Sequence, residues 1–324
     1  MPRPGPDLIG AASQDNQCFG YDGLARLQTA WTAGDGDCTR APSAVGMGGA
    51  APYWTNYTYD VLGNRTKQTT TTADGTATTT TYAHGAGAAG PHAVTSATVA
   101  GVPTTYGYDT AGNRTSVEAG GVTTGYTWDA EGELITAGDT SNVYDADGNR
   151  IVRTDPTGTT VYAGGQEIHI SLTGTVKATR YYGFAGGTVA VRTDRGLGDG
   201  VTSLVTDHHG TPVAAIPNGG HPTTTPINRL YTDPFGATRG TSNASTIPGD
   251  SQFLGKTRDE ATGLTQVGAR YYDEAVGGFI SIDPILDLND PQQWNAYAYA
   301  GNSPIRGRLP SRPLVRSKCE CVRP

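Results

Sequence analysis

One short unit recurs along the chain and limits what it can fold into more than any other feature. It reads YTYDVLGNRT at 57–66, YGYDTAGNRT at 106–115, YTWDAEGELI at 126–135 and VYDADGNRI at 143–151. Weaker copies are FGYDGLARL at 19–27, VTDHHG at 205–210 and YTDPFG at 231–236. An aromatic usually precedes the Asp, two free positions follow, and Gly usually closes the set. Asp at the first position of a turn accepts hydrogen bonds from the backbone N–H groups that follow, and Gly at the fourth can take positive φ. The repeat turns are therefore assigned to Asp60 and Gly63, Asp109 and Gly112, Asp129 and Gly132, and Asp145 and Gly148. Tyr-x-Tyr before the Asp alternates as a strand, which puts both rings on one face. The Arg that follows opens the return strand, where its fork can meet a cross-strand Asp or stack on Tyr. Spacing is irregular: Asp109 to Asp129 is 20 residues and Asp129 to Asp145 is 16. A strict solenoid needs a fixed period and is excluded.

The remaining composition agrees with an all-β chain. There are 17 Tyr against 5 Phe, 46 Gly, and Thr runs at 69–72 and 78–81 that read as strands with polar faces. Only 16% of residues are charged, too few for a long salt-laced helix, and the sole helix candidate is a short one near 291–294. A net charge of −7 gives no electrostatic support for nucleic-acid binding. No run of 18 apolar residues exists to span a membrane, and residues 1–10 lack the apolar stretch of a secretory signal. The average hides a seam: residues 306–324 carry +5 and the first 305 carry −12. Four segments follow: an N-terminal partial repeat segment (1–50), the repeat array (51–250), a denser distinct module (251–305) and an atypical basic tail (306–324). Cys18 and Cys38 either form a disulfide closing a modest loop, which implies export, or remain free thiols.

The Tyr-Asp units resemble the YD repeats of RHS proteins, which are bacterial polymorphic toxin carriers, and of the related teneurin shell. The string FLGKTRDEATGLTQVGARYYDEAVGGFISIDP at 253–284, continued by NAYAYAGNSP at 295–304, resembles the RHS repeat-associated core. The likeness runs from Cys18 to Ile305. It implies a fold in which a β-hairpin strip spirals into a partial hollow shell and ends in the core module, which plugs one end. It also implies an aspartyl-protease-like cut just downstream that leaves a C-terminal toxin enclosed. Two carboxylates sharing a proton activate a water in such a site, because like charges at that distance cannot both ionise. Carried onto this sequence, the G-A-R motif gives Arg270 and the I-D-P motif gives Asp283 as catalytic candidates.

Two departures bear on that chemistry. Gly277-Gly278-Phe279 stands where the family has G-R-F, so a supporting Arg is missing. Leu309-Pro310-Ser311-Arg312 stands where the second Asp of a D-P-x-G motif is expected, at the same place as the charge seam. Either the reading frame changes near Arg306 and the toxin is absent, or the ending is lineage-specific. With the second Asp gone, Arg270 and Asp283 are vestigial protease candidates whose present use is a structural ion pair. Asp287 and Asp290 are read as loop residues rather than substitutes for the lost partner.

Other patterns reduce to structure. Asp155-Pro156-Thr157-Gly158 and Asp233-Pro234-Phe235-Gly236 are turns. The GxGxxG match at 85–90 is followed by Pro91 and lacks a downstream acid, so it is a loop and no dinucleotide cofactor is expected. His208 and His209 are adjacent and expected to point apart, and Cys319-x-Cys321 lacks zinc-ligand spacing, so no metal is expected. The sequons at Asn64 and Asn113 fall inside repeat turns. The functional expectation is the C-terminal part of an encapsulating shell, secreted or at the cell surface within a larger parent. Its partners would be an enclosed toxin polypeptide and an immunity protein. The alternatives are a single-turnover self-cleaving protease, or a module that grips cell-surface glycan through Trp31, Trp54, Trp128 and Trp294.

Overall fold

Why the repeat unit produces a curved strip is visible at its turns. In the computed structural model, which describes residues 14–86, 88–194, 200–218, 227–240, 247–284 and 294–306, Asp60 Oδ1 accepts hydrogen bonds from the amides of Leu62 and Asn64, both at 2.9 Å. The same clasp recurs at Asp109, Asp129 and Asp145. Gly63, Gly112, Gly132 and Gly148 all sit near φ +80°, where a side chain would be strained. The weaker copies build the same turn on Asp22, Asp207 and Asp233. Ala25, at φ 60°, stands in the glycine position of the first.

Each turn joins two antiparallel strands, and the ladder slips beside it. Register shifts fall at Gly20/Tyr21, Thr58/Tyr59, Gly107/Tyr108, Val143/Tyr144 and Val205/Thr206, each within two residues of the turn Asp. Such bulges bend a strand and add twist. Repeated at five of the seven units, they curl what would otherwise be a flat ribbon. The result is a 19-stranded antiparallel sheet running from Gln17–Tyr21 to Asn228–Arg229, in which every strand pairs with the next in sequence. It runs without a break across residue 50, and it is not closed by hydrogen bonding. The Thr runs form cross-strand ladders, with Thr55 bonded to Thr70 and Thr69 to Thr79.

A second sheet of four short strands, Arg258–Asp259, Leu264–Val267, Arg270–Asp273 and Gly278–Phe279, packs against the first. Its side chains supply apolar mass that the Thr- and Tyr-rich strip lacks. One cluster joins Leu27, Ala30 and Tyr57 from the start of the strip to Phe235 from its end, with Phe253, Tyr272, Phe279 and Tyr299 in the middle. Tyr126, Leu134 and Ala137 pack on Leu264, Tyr271 and Ile280, while Tyr82, Ala97 and Tyr106 pack on Val276. The strip thus wraps the small sheet. Its end also meets its beginning: the Arg239 guanidinium lies 4.3 Å over Tyr53 and pairs with Asp15 at 2.6 Å.

Among the described residues the only helices are short 3-10 turns such as 253–255 and 299–302. Most of the helix candidate near 291–294, together with Asp287, Asp290, residues 307–324 and both tail cysteines, lies outside the described residues. Cys18 and Cys38 are joined by a disulfide across 20 residues at the outer edge of the strip.

Candidate functional site

The arginine that ends each Gly-Asn-Arg turn faces inward, beside an aromatic ring of the strip. Arg114 lies 4.3 Å over Tyr106, and Arg150 lies 4.7 Å over Tyr162. Arg65 is enclosed by Tyr57, Tyr82 and Phe235, at 5.6, 4.9 and 4.6 Å. Stacking on Tyr therefore occurs as the repeat chemistry implies. The acidic partner does not come from the neighbouring strand, however. It comes from the inner sheet, because the bulged turn aims the guanidinium across the seam. Arg114 Nη1 pairs with Asp273 Oδ2 at 2.6 Å. Arg150 engages Asp259 through two bonds, 2.6 and 2.9 Å. Arg65 Nη2 donates to the carbonyl of Val276, and the adjacent Gly277 leaves room that a Cβ would fill.

These seam groups are almost fully buried. Burial works against a charged Arg150, but Asp259 with Tyr271 and Tyr162 outweighs it and raises its pKa. Arg114 is raised in the same way by Asp273. Arg153 joins the second centre: its Nη1 reaches Asp259 at 2.7 Å, and its other nitrogens reach Asp155 and Asp250. Sequence reasoning missed Asp259, Asp273 and Arg153. No local pattern singles them out, since Asp259 lies between Arg258 and Glu260 and Asp273 beside Glu274, and their partners lie 109, 159 and 106 residues away.

Arg270 and Asp283 are brought together on the inner module. Arg270 Nη2 meets Asp283 Oδ2 at 2.8 Å, its Nη1 donates to the carbonyl of Ala296 at 3.1 Å, and its guanidinium lies 3.6 Å from the centre of the Phe279 ring. The Asp283 amide also donates to Ala296 O at 3.2 Å. Burial lowers the pKa of Arg270, against the pull of Asp283. The pair fastens the strand end at 270 to the 295–302 segment.

That segment is held in turn by the repeat turns. Asn295 Nδ2 donates to Asn64 Oδ1 at 3.1 Å, Asn302 Nδ2 to Gly63 O at 2.9 Å, and the Tyr297 hydroxyl to Gly112 O at 2.6 Å. Asn64 is only 2% exposed and also accepts from His92 Nδ1 at 2.8 Å, so its sequon is a turn anchor and not a glycan acceptor. Trp31 is buried, and the indole N–H groups of Trp54 and Trp128 are bonded within the strip. Trp294 is 53% exposed. Among the described residues no group of three metal-ligating side chains occurs, and no helix is long and apolar enough to cross a membrane.

One expectation is corrected. His208 and His209 do not point apart. They occupy the tip of the Asp207 turn, not an extended strand, so strand alternation does not apply to them. Their ring centroids lie 3.9 Å apart, and both Nε2 atoms lie 3.1 Å from the carbonyl oxygen of Ile305.

The histidines near the Asp60 turn give the seam a pH dependence. Burial pushes His84 down to about 4, with Arg65 and His92 acting in the same direction and Asp60 against it; His92 is lowered as well. Such a ring stays neutral in the fold but protonates near 6.5 in the unfolded chain. Stability is therefore full above that value and is lost as pH falls toward 4. Because His84 is partly exposed, its share is discounted to about 1 kcal/mol. Glu274 and Asp233, both raised by burial, act in the opposite sense, gaining on acidification. The urea midpoint is expected to be lower at pH 5 than at pH 7.5, and His84→Gln should remove most of that difference. An unchanged difference in His84→Gln would assign it elsewhere.

No family model matches the chain. Among curated proteins, it is similar to the tRNA3(Ser)-specific nuclease WapA of Bacillus spizizenii, at 29% identity over 262 residues, which is 77% of this chain and 10% of that protein. Among solved structures, it superposes on the crystal structure of TcdB2-TccC3 without its hypervariable C-terminal region with a TM-score of 0.67 at 19% identity. That match covers 92% of this chain and 15% of the solved one. The TcdB2-TccC3-Cdc42 structure gives 0.66 at 20% identity over 92% of this chain and 15% of that one. The Tc holotoxin pore of Photorhabdus luminescens gives 0.56 at 17% over 89% and 16%. The chain thus spans a small part of the proteins it matches. The shared fold is the curled YD-type sheet, and the similarities are consistent with an RHS/YD-repeat family.

Proposed function

We propose that this chain forms part of an RHS-type shell that, in its parent protein, walls off a C-terminal toxin polypeptide from solvent, with residues 251–305 as the plug at one end. The observation that carries the reading is the seam: Arg65, Arg114 and Arg150, from three successive stretches of the strip, each bond a backbone or carboxylate group of the inner module. A plug fastened all round its rim suits a container better than an open binding groove. The Thr ladders support the same reading, because they give a strand surface that is polar without being charged. In this reading the repeat strip on both sides of residue 50 acts as one wall, and the Cys18–Cys38 disulfide suits export. An immunity protein would meet the toxin rather than this wall. Glycan gripping has less support, since three of the four Trp residues are engaged in packing or internal hydrogen bonds.

The Arg270–Asp283 pair serves, in the same reading, as a fastener of the plug. The deciding experiment is protease protection of the native parent polypeptide purified from its source culture. Everything C-terminal of Ile305 is expected to resist thermolysin until urea unfolds the strip. Digestion of that segment while the strip stays intact would overturn enclosure. Intact mass measured on the same material with Asp283→Asn tests the fastener role, which expects no change in cleavage state; a product that disappears in the variant would restore the protease reading.

A further inference from the structure

The place where the chain leaves the plug is held by groups that the shell reading does not require. Of the turns built on the Asp motif, the one at 207–210 carries two imidazoles at its tip; the corresponding pairs elsewhere are Gly23-Leu24, Val61-Leu62, Thr110-Ala111, Ala130-Glu131, Ala146-Asp147 and Pro234-Phe235. This is also the turn opposite residue 305. Both Nε2 atoms lie 3.1 Å from the same carbonyl oxygen, that of Ile305. A carbonyl has two lone pairs and can accept from both rings at once, provided each carries its proton on Nε2.

The turn is held rigidly enough for this. Asp207 Oδ1 accepts the amides of His209 and Thr211 at 2.9 Å, and Thr211 Oγ1 accepts the Leu254 amide at 2.9 Å, which ties the turn to the start of the plug. On the far side, the Arg306 guanidinium lies 4.2 Å over the Tyr21 ring. A cleft beneath Ile305 is lined by Gln17, Asp207, His209, Tyr299 and Pro304.

We infer that His208 and His209 form a clasp for main-chain polypeptide at the exit from the plug. Its ligand is a backbone carbonyl, so the grip does not depend on which side chain passes through. Tyr21 completes the collar by stacking on whichever flat cation follows, here Arg306. The clasp fixes Ile305 and Arg306 against the Asp207 turn, and it is a property of this chain independent of whether the shell encloses anything.

The test is trypsin cleavage after Arg306 in the full chain, followed by mass spectrometry, with cleavage at Arg26 and Arg180 as internal references. His208→Ala/His209→Ala is expected to speed cleavage after Arg306 about tenfold, the worth of two net hydrogen bonds between neutral groups, without changing the reference sites. His208→Gln/His209→Gln, whose amide nitrogens can donate from a similar reach, is expected to keep the native rate. An unchanged rate in the Ala pair, or a rate in the Gln pair as fast as in the Ala pair, would overturn the clasp. A measurement on the unaltered protein guards against misfolded variants. Long-range 15N–1H spectra at pH 7.5 should show both rings protonated at Nε2, and an Nδ1-protonated ring at either position sinks the proposal. Failure of the clasp would leave the protease-protection result for the shell untouched, so the two are separable.

Discussion

Asp259→Ala is expected to destabilise the chain by about 3–5 kcal/mol, the cost of leaving a buried charge without its partner. Asp259 is 1% exposed and accepts three hydrogen bonds, two from Arg150 and one from Arg153. Arg153 keeps Asp155 and Asp250 when Asp259 is removed. Arg150 keeps only neutral groups: Asn142, Tyr162, Tyr271 and the face of the Tyr162 ring. Asp259→Asn retains the shape and loses the charge, so it should recover only a small part. The double variant Arg150→Met/Asp259→Leu removes both charges at once and should lie much closer to the native protein than either single loss, since a buried pair contributes little beyond an apolar replacement of similar volume. Urea unfolding of the native protein, Arg150→Met, Asp259→Leu and the double variant completes the cycle. Additive losses in the double variant would mean that the two residues do not act as a pair and that the seam is held elsewhere.

Tyr272→Ala should cost a similar amount, about 3–5 kcal/mol, by opening a cavity at the centre of the inner module. Tyr272 is fully buried, and its ring lies 5.6, 5.6 and 5.4 Å from those of Phe253, Phe279 and Tyr299. Its hydroxyl donates to the carbonyl of Phe235 at 2.7 Å, which ties the inner module to the last turn of the strip. Tyr272→Phe separates the two contributions: the packing stays and one buried carbonyl loses its donor, a loss of about 1–3 kcal/mol. A Tyr272→Ala variant with native urea stability would show that the strip does not need the inner module for its core. The strip has few aliphatic side chains on the face that meets the inner module, so that outcome would remove the main physical reason given for the two sheets folding together.

How the two levels of description divide the molecule is clearest at the repeat turns. Asp60, Gly63 and Tyr57 act within ten residues of one another, so their roles are legible from spacing alone: a carboxylate capping its own turn, a residue at positive φ, and a ring on the inner face. The direction of Arg65, Arg114 and Arg150 is partly legible, because stacking on a neighbouring Tyr is local. Their acceptors are not, since Val276, Asp273 and Asp259 arrive from more than a hundred residues downstream and no short-range pattern pairs them. The histidines at 208 and 209 show the opposite failure. A rule for strands was applied to a turn, where consecutive side chains can converge.

The sequence by itself determined the all-β character, the turn chemistry and the polar Thr strands, because each depends on residues close in the chain or on composition. Only the tertiary structure decided that the strip wraps the module, that the seam is fastened by buried arginines on Asp259 and Asp273, and that Arg270 and Asp283 clamp the 295–302 segment. The small bend at each bulge accumulates over many strands into a curl. Which distant groups that curl brings within 3 Å depends on the sum of all those bends and on no single one of them.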